Sequence, residues 1–469
     1  MRSTTVSRRS FISGSSSLLA TSLASPLFAA ARPSPNVLFI LADDLGYADL
    51  SCYGRREYKT THIDRLAQQG LRLTQAYSNS PVCSATRFAL ATGRYQYRLR
   101  GGLEEPITEP RDAIGLPPSH PTLASLLKKA GYATGLVGKW HMGFLPAFGP
   151  LKSGYEEFFG NHAGAIDYFT HKRGSEASSP NDLYEGEVPV EKAGYYTDLL
   201  TERAVDFIER KYRDPFFLSL HFTAPHWPWQ GRNDAGSSAQ LKSLFHLDGG
   251  SLEKYGEMVL ALDEAVGRVL RALEERGVER NTVVVFTSDN GGERFSDAWP
   301  FTGQKSELLE GGIRVPAIVR WPARLAPRIC EQVAITMDWM PTLLACAGAS
   351  HDPSYPPDGD DLLAVLSGTR EAYPRTLYWR YKAQEQRAVR AGDLKYLRIN
   401  GSEYLFNLRT DVRERANLAE RLPDKFRELR DAWIAWNEQM LPLTADVFSS
   451  SVSSRQQADR YFEPPPPPR

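Results

Sequence analysis
"NVLFILADD", Asn36 to Asp44, and "NTVVVFTSDNGG", Asn281 to Gly292, share one design: an unbroken apolar run that ends abruptly in acids and amides. Runs of this length, bounded by turn residues, read as buried strands. "ATGLVGKWHMG" (133–143) and "PFFLSLHFTAPHWP" (215–228) repeat the design with lysine and histidine at the end. Between these runs stand the amphipathic, helix-like segments "HIDRLAQQG", "PTLASLLKKAGY", "LLTERAVDFIERK" and "YGEMVLALDEAVGRVLRALEERG". The alternation predicts an α/β fold in which helices cover both faces of one large sheet. Gly70, Gly131 and Gly277 fall where helices stop, as C′ residues in the left-handed region.

After about Gly368 the rhythm changes to short strands, "LYWRYK", "QRAVRAGDLKYLRI" and "EYLFNLRTD", and then the helix "PDKFRELRDAWIAWNEQM". A small antiparallel sheet with a terminal helix packed on it is expected there. The predicted organisation is a leader over 1–31, a catalytic domain over 32–368, a C-terminal subdomain over 369–460 and a proline-rich tail over 461–469. The leader, "SRRSFISGSSSLLATSLASPLFAAA", has a basic start, a mildly apolar middle and a small-residue end, as an export signal does. Arg8 and Arg9 followed by Phe11 and Ile12 resemble a twin-arginine signal, which makes the Tat translocon a partner and the periplasm or the exterior the destination. No later stretch is long and apolar enough for a membrane anchor.

The polar residues that end the apolar runs are Asp43 and Asp44, Lys139 and His141, His226, and Asp289 with Asn290. In an open α/β sheet the carboxyl ends of the strands line the ligand crevice, so these residues can converge. Either acidic motif alone is more often a turn or a helix cap. Together, three carboxylates and a carboxamide describe an oxygen cage for a hard cation, Ca²⁺ or Mg²⁺. Arg87, Lys139 and Lys305, with His141 and His226, supply the positive side that could hold an anion against it, and the glycines of "EGGIRVP" after Lys305 permit close backbone approach.

Composition narrows the partners. Fifty-six Lys and Arg balance fifty-six Asp and Glu, so no sequence-wide attraction to nucleic acid exists and an anionic ligand must be gripped locally. The four cysteines, Cys52, Cys83, Cys330 and Cys346, are too scattered for a zinc ribbon and too few for a disulfide framework. Cys83 stands apart through its neighbours, "SPVCSATRFALATGRY" (80–95).

"CSATRFALATGR" resembles the signature of the formylglycine-dependent sulfatases, with Ala85 and Thr86 in place of the commoner Pro and Ser. The resemblance continues through "NVLFILADDLGYADLSCYG", "GYATGLVGKWHMG", "APHWP", "TSDNGG", "KSELLEGGIRVP" and "YLFNLRTDVRERANLA", nearly the whole mature chain. It implies an alkaline-phosphatase-like fold and a Cys83 oxidised to Cα-formylglycine by a maturation enzyme acting on unfolded chain, before a twin-arginine route exports the folded protein. The hydrated aldehyde is a geminal diol, one hydroxyl of which attacks sulfur while the other expels sulfate by reforming the carbonyl. The resemblance assigns Ca²⁺, with Mg²⁺ second, to Asp43, Asp44, residue 83, Asp289 and Asn290. Arg87 would steady the diol, His141 take its proton, and Lys139, His226 and Lys305 bind sulfate and help the alcohol leave.

The implied activity is hydrolysis of sulfate monoesters. A phosphodiesterase or phosphonate monoester hydrolase of the same superfamily, and a silent sugar-binding relative, are the alternatives. "GNHAGAIDYFTHKRG" and "GRYQYRLRGGL" resemble the arylsulfatase B, or N-acetylgalactosamine-4-sulfatase, branch. That likeness points to a sulfated glycan, with a sugar subsite lined by His162, Asp167, Tyr168 and His171.

Overall fold
The computed structural model describes residues 34–210, 214–452, 457 and 458, together with Thr5. Apart from Thr5, the leader lies outside the described residues, as does the proline-rich tail. Ten strands form the main sheet, in the order Arg328–Cys330, Leu71–Leu73, Ala317–Arg320, Thr282–Ser288, Asn36–Ala42, Phe216–His221, Ala133–Lys139, Glu157–Asn161, Tyr184–Glu185 and Val188–Pro189. The five strands from Thr282–Ser288 to Glu157–Asn161 are mutually parallel. Ala317–Arg320 joins them antiparallel, so the sheet is mixed.

Side-chain alternation along Asn36–Ala42 explains the two helical layers. Leu38, Ile40 and Ala42 face a core built with helices Thr61–Gln68, Tyr196–Glu209 and Leu252–Glu275. Val37, Phe39 and Leu41 face the opposite core with helices Leu123–Lys129 and Trp339–Ala347. Because both faces are covered, the central strands are apolar throughout rather than alternating, as their sequences predict. Gly131 and Gly277 have the expected positive φ of 88° and 70°. Gly70 does not share it: a Cβ there would stand 2.4 Å from the Val319 carbonyl oxygen, so this glycine serves close packing on the sheet edge and not a left-handed cap.

Strands Thr376–Tyr381, Gln386–Ala391, Leu394–Ile399 and Ser402–Asn407 form the expected antiparallel sheet in sequence order. Helix Pro423–Asn437 packs on it through Leu429, Trp433 and Trp436, and their core extends to Ala85 and Ala89 of helix Cys83–Thr92. That helix is wedged between cores, with Phe88 in a fourth cluster and Leu90 in the layer around Leu123.

Parallel pairing in register fixes where the polar ends meet. Ala42 lies opposite Ser288, Leu41 opposite His221, and Gly138 opposite His221. The residues that follow, Asp43, Asp289, Phe222 and Lys139, therefore emerge along one edge of the sheet.

Candidate active site
Asp43, Asp44, Asp289 and Asn290 are buried at this edge, and each has a defined partner. Asp43 Oδ2 accepts a hydrogen bond from Lys139 Nζ at 2.5 Å. Asp44, held at φ 59°, takes Asn290 Nδ2 at 2.7 Å on one oxygen and Lys305 Nζ at 2.6 Å on the other. Arg87 forks onto Asp289 Oδ2 through Nε at 3.1 Å and NH2 at 2.8 Å, while its NH1 donates to the Lys139 carbonyl at 3.0 Å. Asp44 N donates to Asp289 Oδ1 at 3.2 Å, tying the two strand ends together. Three carboxylates thus face three basic side chains, Arg87, Lys139 and Lys305, with almost no solvent around any of them.

Cys83 sits at the first turn of helix Cys83–Thr92, 2% exposed. Its sulfur and carboxylate oxygens of Asp43 and Asp289 lie within 4.8 Å of one another, as do Asp43, Asp44 and His226. Thr86, fourth in the helix, accepts from Ser80 N and donates to Ser80 O, both at 3.0 Å, which fixes the chain that leads into Cys83. The four cysteines are unpaired.

Two histidines flank the cage. His141, at φ 54°, has its Nε2 2.7 Å from the Ile107 carbonyl, so Nε2 carries hydrogen and Nδ1, which has no hydrogen-bond partner, carries the lone pair in the neutral ring. His226 Nδ1 is 2.7 Å from the Trp227 carbonyl, and its Nε2 stands 3.6 Å from Asp44. Tyr168 OH donates to the His226 carbonyl at 3.0 Å.

Burial and neighbouring charge set the protonation of the site. Burial, reinforced by Asp289, pushes the Asp43 carboxyl well above the usual range, and burial also raises Asp44. For Asp289 burial acts upward, but Arg87 and then Lys139 hold the carboxyl below the usual range. Burial pushes the Cys83 thiol up to about 11, so a thiolate nucleophile is disfavoured here. Burial, followed by Lys139 for His141 and by Lys305 for His226, lowers both imidazoles well below the ordinary histidine value. Lys305 is buried, yet Asp44 raises it above an ordinary lysine.

A cation fits this donor set. Asp43 Oδ1 and Asn290 Oδ1 are buried oxygens with no hydrogen-bond partner, a costly arrangement unless something else binds them. With Asp44, Asp289 and residue 83 they offer the hard, oxygen-rich environment that Ca²⁺ or Mg²⁺ takes. Gly291 lets this edge close: a Cβ would stand 2.0 Å from the Gly311 carbonyl, in the loop that brings Lys305 across.

The structure gathers Asp43, Asp44, Cys83, Arg87, Lys139, His141, His226, Asp289, Asn290 and Lys305 into one cluster. His162, Asp167, Tyr168 and His171 are different. All four are buried, and at least three are turned onto protein: Asp167 accepts from Phe169 N, Thr170 N, Gln230 and Ser238, Tyr168 stacks on Tyr195, and His162 meets Phe158 and Tyr184 edge-on. Tyr168 braces His226 through its hydroxyl, and none of the four is solvent-exposed. Two further residues escaped sequence reasoning. His221, the last residue of its strand, is 3.5 Å from Arg87 NH1, and Trp227 bridges Glu293 at 3.1 Å with its ring 5.5 Å from Lys305. The histidine is concealed in an apolar run, and the tryptophan's contacts are long-range.

The sulfatase family pattern matches residues 35–349. The chain is similar to N-acetylgalactosamine-6-sulfatase of Mus musculus, 34% identical over 405 residues that cover 81% of this chain and 74% of the relative. It is also similar to an arylsulfatase of Hemicentrotus pulcherrimus, 32% identical, covering 77% and 67%. Among solved structures, Ps i-CgsB superposes with a TM-score of 0.79 at 28% identity over 92% of this chain and 98% of that one, and it has been solved with k-i-k-neocarrahexaose.

Proposed function
The chain belongs to the sulfatase family and is a sulfuric ester hydrolase, and on that premise we propose that it removes sulfate from a sulfated, galactose-type sugar using formylglycine at position 83 beside one Ca²⁺. One observation carries this reading: the unpartnered buried oxygens of Asp43 and Asn290 lie in the same cage as Cys83, at the strand edge where three carboxylates meet Arg87, Lys139 and Lys305. The relatives named for N-acetylgalactosamine-6-sulfate and the neighbour bound to neocarrahexaose support a sugar as the leaving group.

Asp43, Asp44, Asp289, Asn290 and residue 83 would hold the cation. When bound, it supplies Lewis-acid polarisation and neutralises sulfate charge. The formylglycine hydrate supplies a nucleophile whose second hydroxyl can release sulfate afterwards. Arg87 keeps Asp289 ionised and oriented through its two-pronged contact. Lys139 and Lys305 place ammonium groups where sulfate oxygens gather charge, and excluded water makes each contact stronger than in solution. His141, with a free lone pair on Nδ1, receives a proton at that atom. Lys305 keeps its proton near neutral pH and stands on the side of Trp227 and Glu293, where it stabilises the departing alkoxide. His226 is held by Trp227 and Tyr168 and orients the sulfate.

The domain boundaries at 31/32, 368/369 and 460/461, maturation by a formylglycine-generating enzyme, and Tat export to the periplasm or exterior belong to the same proposal. No helix among the described residues is long and apolar enough to cross a membrane. The test is purified, matured protein. It should release sulfate from sugar sulfates in preference to phosphate from phosphate esters, and its tryptic peptide containing residue 83 should lack an alkylatable thiol and react with a hydrazide. Intact cysteine at 83 in fully active enzyme would end the formylglycine reading.

A further inference from the structure
Beside the cage lies a second concavity of about 250 Å³, walled by the segment from Gly292 to Gln304 and closed by Arg413 of the C-terminal subdomain. We propose that it binds a neutral sugar unit next to the sulfated one, so that the enzyme reads an oligosaccharide and not an isolated monosaccharide sulfate. This rests on the reading that the substrate is a sugar sulfate.

Position makes the first argument. Lys305 N donates to the Gly292 carbonyl at 3.0 Å, and Glu293 Oε2 lies 3.1 Å from Trp227 Nε1 and 4.0 Å from Lys305 Nζ. The concavity therefore shares its wall with the side of the site from which the alcohol leaves. A carbohydrate chain leaving that side meets this wall next.

The lining makes the second. Trp299 is a large aromatic side chain 59% exposed, although its backbone is pinned by a hydrogen bond from its N–H to Asp297 Oδ1 at 2.8 Å. The Arg413 guanidinium lies 4.7 Å from the centre of the Trp299 ring, and its backbone carbonyl is fixed by Thr302 Oγ1 at 3.0 Å. Among the described residues Arg413 has no carboxylate partner, and its Nε has no acceptor. Arg413 stacks over one face of the Trp299 ring, and the exposed remainder of the indole, the guanidinium without a carboxylate partner and the nearby Asp297 carboxylate match a pyranose, whose C–H face stacks on the aromatic surface while its hydroxyls accept from Arg and donate to Asp. Glu293 and Asp297 offset Arg294 and Arg413 in this lining, so the pocket is balanced in charge. That balance favours a hydroxyl-bearing ring over a second anionic group.

Binding energy gained here, away from the reacting sulfur, would position the ester, and substrates lacking the second sugar would not feel its loss. The full, matured chain should be assayed on nitrophenyl sulfate, galactose 6-sulfate and neocarrahexaose. Trp299→Ala and Arg413→Gln are expected to lower kcat/KM for the hexasaccharide about tenfold, leaving the two small substrates unchanged. Trp299→Phe, which keeps a stacking face, should recover most of the loss and guards against a folding artefact. Equal losses on all three substrates, or none on the hexasaccharide, would overturn the pocket assignment. Should the wild type cleave nitrophenyl sulfate but no sugar sulfate, the sugar reading itself fails. Calorimetric titration with the unsulfated hexasaccharide then decides the pocket: binding lost in Trp299→Ala upholds it, and no binding, or binding equal in both proteins, overturns it.

Discussion

Two clusters of buried charge lie at opposite ends of the segment Lys305–Pro316, and they are finished differently. Near its far end, Glu310 is wholly buried and its carboxylate takes Tyr77 OH at 2.6 Å, Lys395 at 2.9 Å and Arg314 at 3.2 Å. Lys395 also reaches Glu414 at 2.8 Å, and Glu414 accepts from Glu310 N at 2.7 Å. Although burial opposes it, Lys395 and then Arg314 hold Glu310 down to about 2. Each carboxylate oxygen of this network has a cation or a donor within 3.2 Å, Glu414 Oε1 through its ion pair with Lys395, and the network ties the small sheet to the segment that leads into strand Ala317–Arg320. At the strand ends, by contrast, charges of both signs are present in equal number, yet Asp43 Oδ1 and Asn290 Oδ1 are left open. Buried charge that is closed specifies structure, and buried charge left open is chemistry waiting for a ligand.

Substitutions should separate the two. Cys83→Ala removes a small buried thiol and should leave the fold intact while lowering turnover by on the order of 10⁴-fold or more, as loss of a nucleophile does. A variant that kept a tenth of the activity would move the chemistry away from residue 83. Lys395→Met should do the opposite. It takes away the cation paired with the buried Glu414 and leaves Glu310 to Arg314 and Tyr77, and should cost about 3–5 kcal/mol in denaturant unfolding, with kcat of the folded fraction little changed. A stable but inactive variant would place Lys395 on the wrong side of the comparison.

Lys305→Ala tests the boundary between the clusters. Nitrophenolate leaves as a stable anion, whereas a sugar alkoxide needs positive charge beside it, so loss on a sugar sulfate should exceed loss on nitrophenyl sulfate by roughly 10²-fold, mainly in kcat. Equal losses would confine Lys305 to holding sulfate. The smallest effect concerns a buried acid in neither cluster. Glu105 has no ion pair among the described residues, and burial pushes its carboxyl up to about 7, against hydrogen bonds from Ser449 and Lys382 N. Its folded value lies above its unfolded one, so its contribution is fully present below about pH 4 and is lost as pH rises through 7, by at most about 3 kcal/mol. Glu105→Gln should flatten that part of the stability–pH curve, and an unchanged curve would show that Glu105 is not its source.

Much of this was legible in the sequence, because strand periodicity and strand-end polarity are local. "NVLFILADD" and "NTVVVFTSDNGG" give both the parallel sheet and the cage, since a parallel register forces their ends together. The small antiparallel C-terminal sheet was equally plain. What escaped was long-range: Lys395 and Glu310 are 85 residues apart, and no pattern links them. Equally long-range is the packing of His162, Asp167 and Tyr168 against Phe158, Gln230 and Tyr195, which no local pattern announces. Gly70 misled for a related reason, its lack of a side chain serving the neighbouring strand and not its own helix.

The open cage is tested most directly by metal content against activity in one preparation. The account predicts one Ca²⁺ per matured chain, lost together with sulfate release in Asp289→Asn, a change that keeps the side chain's shape beside Arg87. Full activity with stoichiometric zinc and neither Ca²⁺ nor Mg²⁺, or full activity without any metal, would contradict it.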